Sequence, residues 1–363
     1  MSDFNLRRPA EWTPQNNVIL GWPGLNGILK EYPDMLEKAT EEVSQLARAI
    51  AHFEPVILIV GNERIDEAKA YFSEVQTPFQ IQLEHIEGDG MDVWLRDFAP
   101  VFVIKEGRGL VGLDYNFNGW GGRYPTPTIV EFAKKFLKDK NIERIETSIV
   151  TEGGALETDG EGTLLVTESS IVNGNRNPGK NRQEIEDELK RTLGVRKVIW
   201  IPGRPELDST DCHIDALARF VRPGTILLSK ANEGNPTDWT TVYEEALEIL
   251  SSATDANGRP FEIIEVEEPD EGLFKPPPKG NMGVEGIDDD RAVRSYTNYL
   301  LVNGGIILPQ FGDPAHDVAA IRIAQMVYGG ERRIIPVLIE QLPILGGGIH
   351  CHTQEIPRHI GPH

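Results

Sequence analysis

Cys351 lies in the run Gly346-Gly347-Gly348-Ile349-His350-Cys351-His352-Thr353 and is one of two cysteines in a chain of 363 residues. The ionised thiol is a strong nucleophile. A loop of glycines, Gly348 among them, lets a substrate's backbone or head group come close. The second cysteine, Cys212, sits in Asp211-Cys212-His213-Ile214-Asp215 without glycine support. Three further segments hold complementary groups: Trp94-Leu95-Arg96-Asp97, Glu152-Gly153-Gly154 and His213-Ile214-Asp215. Together they offer a thiol, an imidazole and three carboxylates, an inventory suited to attack on a positively charged carbon centre.

Each group has a functional and a plainer use. As a strand entry, Asp211–Asp215 would put His213 and Asp215 on one face and Cys212 and Ile214 on the other. Cys212 then becomes wall, and His213 with Asp215 the working pair. His213 is a candidate general acid and base, or else a surface or core histidine. Asp97 and Asp215 are candidates to grip a guanidinium through two-pronged hydrogen bonds, and Trp94 to stack on a planar cation. Arg96 is expected to pair with Asp97 or another carboxylate. A cationic substrate or a nearby imidazolium would favour the thiolate of Cys351. His350, Cys351, His352, Cys212 and His213 are zinc-ligand types, but adjacent side chains diverge and no Cys-x2-Cys or His-Glu-x2-His spacing occurs, so no metal is expected. No phosphate-binding glycine loop is present, so no nucleotide cofactor is expected.

The net charge of −21 disfavours nucleic acid and anionic membranes as partners. It favours a small cation by steering, although solubility alone also accounts for it. Hydrophobic residues make up 39% and charged residues 26%, as in ordinary globular proteins. No apolar run approaches the ~18 residues of a membrane helix, and no secretory signal opens the chain. Two cysteines argue against a disulfide scaffold; a single Cys212–Cys351 bridge stays open, and residence in the cytoplasm is the expectation.

A helix followed by an apolar strand recurs. The pairs are 34–53 with 56–60, 128–137 with 143–150, 182–193 with 196–201, 240–250 with 261–266, and 317–328 with 333–339. A lesser helix falls at 65–72. Further strands are expected at 99–104, 110–114, 163–167, 216–221, 225–229, 299–303 and 305–309. Five such units suggest an α/β repeat of about 70 residues. Residues 267–290, rich in Pro, Gly and acid, read as a surface loop.

In order along the chain stand Trp94-x-Arg96-Asp97, Asn118-Gly-Trp120-Gly-Gly122, Glu152-Gly-Gly154, Asp159-Gly-Glu-Gly-Thr-Leu164, Asn175-Arg-Asn-Pro178, His213-x-Asp215, Phe220-Val-Arg-Pro-Gly224 and Gly346-Gly-Gly-Ile-His-Cys351-x-Thr-Gln354. This set resembles the agmatine deiminase and Porphyromonas-type peptidylarginine deiminase family over nearly the whole chain. The resemblance implies a single catalytic domain over 1–363 with the pentein fold, a five-bladed α/β propeller with the site in its central channel. It implies hydrolysis of a guanidine to a ureido group and ammonia without a cofactor. Asp97 and Asp215 would hold the guanidinium, Cys351 would attack its carbon, His213 would move protons and Glu152 would orient His213. Trp94, Trp120 and Gly348 would line the substrate.

Asp208-Ser209-Thr210-Asp211-Cys212-His213 stands where agmatine enzymes carry Asp-Glu-Thr-Asp-Gly-His, so Ser209 replaces a glutamate that can meet the amine tail. Arg123 is a candidate to meet a substrate carboxylate, or a surface residue. Agmatine is the first substrate expected. Arginine, in peptides or free, is the alternative, and an amidinotransferase is the reading from another class. A homo-oligomer stays open.

Overall fold

Side chains along a strand point alternately to its two faces, and the central strands here are apolar on both. Val56, Leu58 and Val60 pack into one hydrophobic cluster, Ile57 and Ile59 into another. Leu164 and Val166 separate from Leu165 in the same way, as Ile226 and Leu228 do from Leu227. Such strands read as unbroken apolar runs because each is covered on two sides.

The structure, a computed structural model, describes residues 5–25, 29, 33–88, 91–234, 236–275 and 292–358. These residues form five open sheets of three or four strands. One pattern recurs: Ala218–Arg222 runs antiparallel to Thr225–Lys230, helix Asp238–Ser252 crosses over, and Glu262–Glu267 joins in parallel. Val101–Lys105, Gly109–Asp114 and Glu143–Glu146 repeat it. So do Glu157–Thr158, Thr163–Thr167 and Lys197–Ile201, and Leu300–Val302, Gly305–Gln310 and Arg333–Leu338. In the fifth sheet Thr353–Pro357 lies antiparallel to Gln15–Gly21, with Val56–Gly61 and Ile81–Ile86 following in parallel. The chain is a mixed α/β protein in which the expected helix–strand repetition is present.

Four hydrophobic clusters join one sheet to the next. One links the sheet of Val103 to that of Leu164, the next links Leu165 to Phe220. The largest joins Leu227, Ile307 and Leu58, and the last returns from Ile57 to Phe102. The helices fill these seams. Pro33–Ile50 presents Ala39, Val43, Leu46, Ala47 and Ile50 to the core, as its 3.6-residue spacing predicts, while Met35 and Leu36 stay partly buried.

Several expectations need correction. The helix expected over 128–137 is two, Pro127–Val130 and Phe132–Asp139, broken at Glu131. The strand expected over 143–150 ends at Glu146, because Asn116 Nδ2 takes the carbonyls of Thr147 and Ile149 out of the ladder. Asp211–Asp215 is no strand: Asp211 and Cys212 have φ of 61° and 75°, and a 3-10 turn begins at Ile214. The segment 267–290 holds a short turn at Glu271–Leu273, and its part from 276 onward lies outside the described residues. Among the described residues no helix is long and apolar enough to cross a membrane.

Helix Arg182–Leu193 matches its expected bounds because both ends are specified in sequence. Asn181 and Glu184 exchange side-chain and backbone hydrogen bonds at its start, and Gly194 closes it in the left-handed region at φ 69°. A Cβ on Gly194 would lie 1.7 Å from the carbonyl oxygen of Leu6. Gly194→Ala is therefore expected to destabilise the fold by at least about 1–2 kcal/mol, the cost of a left-handed non-glycine residue, measured by urea or thermal unfolding.

Candidate active site

Asp97 lies on a one-turn helix, Leu95–Phe98, whose Leu95 and Phe98 are anchored in the core. Between them Arg96 turns the other way and pairs with Glu355 at 2.8 Å and Glu11 at 3.3 Å, so its partners are other carboxylates than Asp97. Asp97 instead accepts from the indole Nε1 of Trp120 at 2.8 Å and from the backbone of Gly154 at 3.1 Å. Trp120 is buried and thereby fixes Asp97 rather than offering a free face.

Glu152 is fully buried, with Oε1 accepting from Arg176 Nε at 2.9 Å. Its Oε2 faces His213 Nε2 at 3.5 Å, and His213 Nδ1 faces Asp97 Oδ1 at 3.6 Å. The loop bearing His213 is held by Asp211, which receives Arg123 Nη1 and Nη2 at 2.7 and 2.9 Å, Asn175 at 3.1 Å, the amide of Glu206 at 2.8 Å, and Arg176. Burial alone would raise the Asp211 carboxyl, but these donors hold it at about 2. Arg123 also donates to the carbonyl oxygens of Ser209 and Trp120. It is thus committed inside the protein, which corrects its reading as a receptor for a substrate carboxylate.

Asp215, on the 3-10 turn Ile214–Ala216, accepts from His350 Nδ1 through Oδ2 at 2.7 Å. The same oxygen lies 3.6 Å from Cys351 Sγ. Asn298 Nδ2 donates to that sulfur at 3.3 Å, and Asn298 Oδ1 accepts from the amides of His350 and Cys351. Cys212 is buried among Ile214, Phe220 and Leu228, and both cysteines are free thiols. Cys212 and Ile214 do form the wall expected of them, through a tight turn instead of strand alternation.

The glycines have separate uses. A Cβ on Gly347 would meet the Trp94 ring at 2.4 Å, and one on Gly348 would meet Asn298 Oδ1 at 2.4 Å. Those two allow Trp94 and Asn298 to pack against the thiol loop. At Gly154 the site closes on the backbone itself: a Cβ there would lie 2.7 Å from His213 Nδ1, 2.8 Å from Asp97 Oδ1 and 3.1 Å from Asp215 Oδ2, too close for any side chain. Three expected site residues thus gather around the backbone of Gly154. Asp215 Oδ1, Glu152 Oε2 and His213 Nε2 are buried without hydrogen-bond partners, and a buried unpaired polar group costs about 1–3 kcal/mol.

Charge follows from this packing. Burial lifts Asp97 to about 6, with Asp215 and Glu152 adding to the rise and His213 opposing it. Burial would lower the His213 imidazolium, but Asp97, Glu152 and Asp215 outweigh it and lift His213 to about 9. Arg176 and His213 overcome the burial of Glu152 and keep it ionised. Burial, then Asp215 and Asp97, push the Cys351 thiol up, while the Gly348 amide and Asn298 pull it down more weakly. A metal has no such place: among the described residues no cluster of His, Cys, Asp and Glu could hold one.

The model of the Porphyromonas-type peptidyl-arginine deiminase family matches residues 7–357. The chain belongs to this family. Within it, the chain is 35% identical to an agmatine deiminase of Medicago truncatula, over 96% of each chain. It is also 35% identical to one of Stutzerimonas stutzeri, over 96% of this chain and 95% of the relative. A solved agmatine deiminase of Enterococcus faecalis superposes with a TM-score of 0.85 at 28% identity, covering 98% of this chain and 97% of that one. A dimethylarginine dimethylaminohydrolase at 15% identity and TM-score 0.50 shares the fold.

Asn298, His350, Glu11, Arg176 and Asp211 were not singled out as site residues from the sequence of this deiminase-family chain. Arg176 stands in the quoted Asn175-Arg-Asn-Pro178 motif, and His350 next to the thiol, so both left a signal. Glu11 and Asn298 left none. The thiol's environment makes a direct expectation. Asp97→Asn removes a negative charge that raises Cys351, so alkylation of Cys351 by iodoacetamide near neutral pH should speed up, by up to about tenfold for one unit of pKa. Peptide mapping should find Cys212 unmodified in the folded protein.

Proposed function

We propose that this chain hydrolyses agmatine to N-carbamoylputrescine and ammonia through a covalent amidino-thioether on Cys351. The observation that carries the reading is the gathering of Asp97, His213 and Asp215 around Gly154, with Cys351 Sγ beside Asp215. A guanidinium facing Cys351 would donate to Asp97 and to the unpaired Asp215 Oδ1. Its positive charge offsets the two carboxylates that disfavour the thiolate, so the substrate itself supplies the cation that ionises Cys351.

The thiolate attacks the guanidinium carbon and forms the C–S bond of a tetrahedral adduct. His213, charged below about 9, gives its proton to the departing nitrogen, and the C–N bond breaks to release ammonia. The neutral imidazole then takes a proton from water, whose oxygen attacks the amidino carbon. Collapse breaks the C–S bond and leaves the ureido product and the thiolate. Glu152, itself held by Arg176, orients His213 and stabilises its cationic form, the part an acid plays in a triad. Trp94, half-buried against the glycine loop, lines the approach.

Agmatine fits better than free arginine because Arg123, the residue placed to meet a carboxylate, is bound to Asp211 and Ser209. The architecture is read as one catalytic domain, a five-bladed α/β propeller. Support comes from the five repeats and from clusters that lead from sheet to sheet and back to the first.

A ureido assay over agmatine, free arginine and peptides with internal or C-terminal arginine tests the substrate, and agmatine should give the highest kcat/KM. Equal turnover on peptides would move the assignment to a peptidylarginine deiminase. Ammonia release that needs an added acceptor amine would make it an amidinotransferase. Cys351→Ala should abolish product, whereas Cys212→Ala keeps substantial turnover; the reverse would remove Cys351 as nucleophile. Asp97→Asn should cost at least ~2 kcal/mol in kcat/KM. The pH profile of kcat/KM reports the free enzyme. Asp97 must be ionised and His213 protonated, so activity should fall as pH drops through about 6 and as it rises through about 9.

A further inference from the structure

His350 is 1% exposed, and both of its ring nitrogens face carboxylate oxygens. Nδ1 lies 2.7 Å from Asp215 Oδ2, and Nε2 lies 2.9 Å from Glu11 Oε1. A neutral imidazole has one N–H, so its other nitrogen would press a lone pair against a buried carboxylate oxygen. One shared proton more resolves both contacts. It resides on the ring or on one of the acids. Glu11 also pairs with Arg219 and with Arg96, which holds it ionised. Asp215 presents its remaining oxygen, Oδ1, unpaired. One added proton held in common thus ties the ring to both acids as a single hydrogen-bonded unit.

We propose that His350 is a positioning residue, a ring clamped between Glu11 and Asp215 by a shared proton, that makes the N-terminal segment part of the catalytic centre. This rests on the functional reading above and deepens it. The clamp occupies Asp215 Oδ2 and leaves Oδ1 as the one oxygen available to a guanidinium. The shared proton offsets one negative charge behind Asp215, in a site where Asp97, Glu152 and Asp215 crowd together. Because His350 directly precedes Cys351, the same clamp fixes the thiol: the amides of both residues donate to Asn298 Oδ1, and Arg96 donates from Nε to the His350 carbonyl and from its amide to the Cys351 carbonyl.

The charged groups around the ring come from every element packed on it. Glu11 lies on the segment before strand Gln15–Gly21, Asp215 on its 3-10 turn and Arg96 on the one-turn helix. Arg219 on strand Ala218–Arg222 binds Glu11 and Glu157, and Glu355 on the last strand binds Arg96. Glu11, Glu157, Glu355 and Asp215 face Arg96, Arg219 and the ring, and burial, with Glu11 beside it, pushes the Glu157 carboxyl up to about 7.

The test compares wild type, His350→Asn, Glu11→Gln and Glu11→Asp. His350→Asn keeps a donor near Asp215 but cannot carry the shared proton, so the acid limb of kcat/KM should move to higher pH and kcat/KM at neutral pH should fall by about tenfold or more. Glu11→Gln removes one negative charge from the linked acids, so the alkaline limb, set by His213, should move to lower pH, and Glu11→Asp should restore part of the shift. A merely structural role would change the unfolding temperature and the yield of active protein while leaving both limbs in place. Unmoved limbs in a folded Glu11→Gln enzyme overturn the proposal, even where His350→Asn does not fold. The pH dependence of Cys351 alkylation gives a readout without substrate. In His350→Asn the thiol pKa should rise and alkylation slow, and an unchanged profile counts against the clamp. If the wild type turns over no guanidine, the functional reading fails, and this alkylation profile still decides whether the clamp exists.

Discussion

Arg176 sits out of contact with solvent between Glu152 and Asp211, and that arrangement decides where the imidazole of His213 stands. Removing one partner from a buried ion pair costs about 3–5 kcal/mol, because the other charge is stranded. Here each carboxylate has a second duty. Glu152 turns its free oxygen toward His213, and Asp211, itself at φ 61°, closes the loop that brings His213 in. One guanidinium thereby couples the glycine turn after Glu152 to the His213 loop. Arg96 and Arg219 do the same for the thiol loop and the strand after Asp215. In the proposed reading, the protein builds a place for a guanidinium out of its own guanidinium–carboxylate pairs.

The site that results is short of positive charge at one place. Around Gly154, Asp97 and Asp215 meet His213, whose other nitrogen faces Glu152, while the thiol lies beside Asp215. Paired internal cations satisfy the outer carboxylate oxygens and leave the inner ones facing inward. In the proposed reaction this deficit is what selects the substrate. A neutral amide would bring no charge to lower the thiol, whereas a guanidinium brings it in the same plane as its donors.

Much of this was legible in the sequence, for reasons that differ by residue. Strands such as Val56–Gly61 are apolar on both faces, and helix Arg182–Leu193 has a box at one end and a glycine at the other, so local pattern alone marks them. Gln15–Gly21 and Thr353–Pro357 escaped because they mix polar residues into short runs, and Glu355 in the last strand is buried only because Arg96 reaches it. The expected site residues Asp97, Glu152, His213, Asp215 and Cys351 were visible as types beside glycines. What the glycines do was not: whether one makes room for a substrate or for Trp94 depends on chain segments far away. Glu11, Asn298 and the internal use of Arg123 were hidden for that reason. Their partners lie scores to hundreds of positions off, and no spacing rule spans such distances.

Thr353 pairs with Leu20, and Cys351 stands just before that pairing. During synthesis the ribosome delivers the strands of the other four sheets, together with Asp97, His213 and Asp215, before it adds the sulfur. Domains begin to organise from the N-terminal side as they emerge, so a nascent chain holds the carboxylates and the imidazole with nothing to react. A prematurely stopped chain, or one trimmed from its C-terminal side past the last strand, loses the proposed nucleophile and the clasp of its first sheet in the same cut. In the proposed mechanism, translation thus adds the reacting sulfur after the groups that hold its substrate.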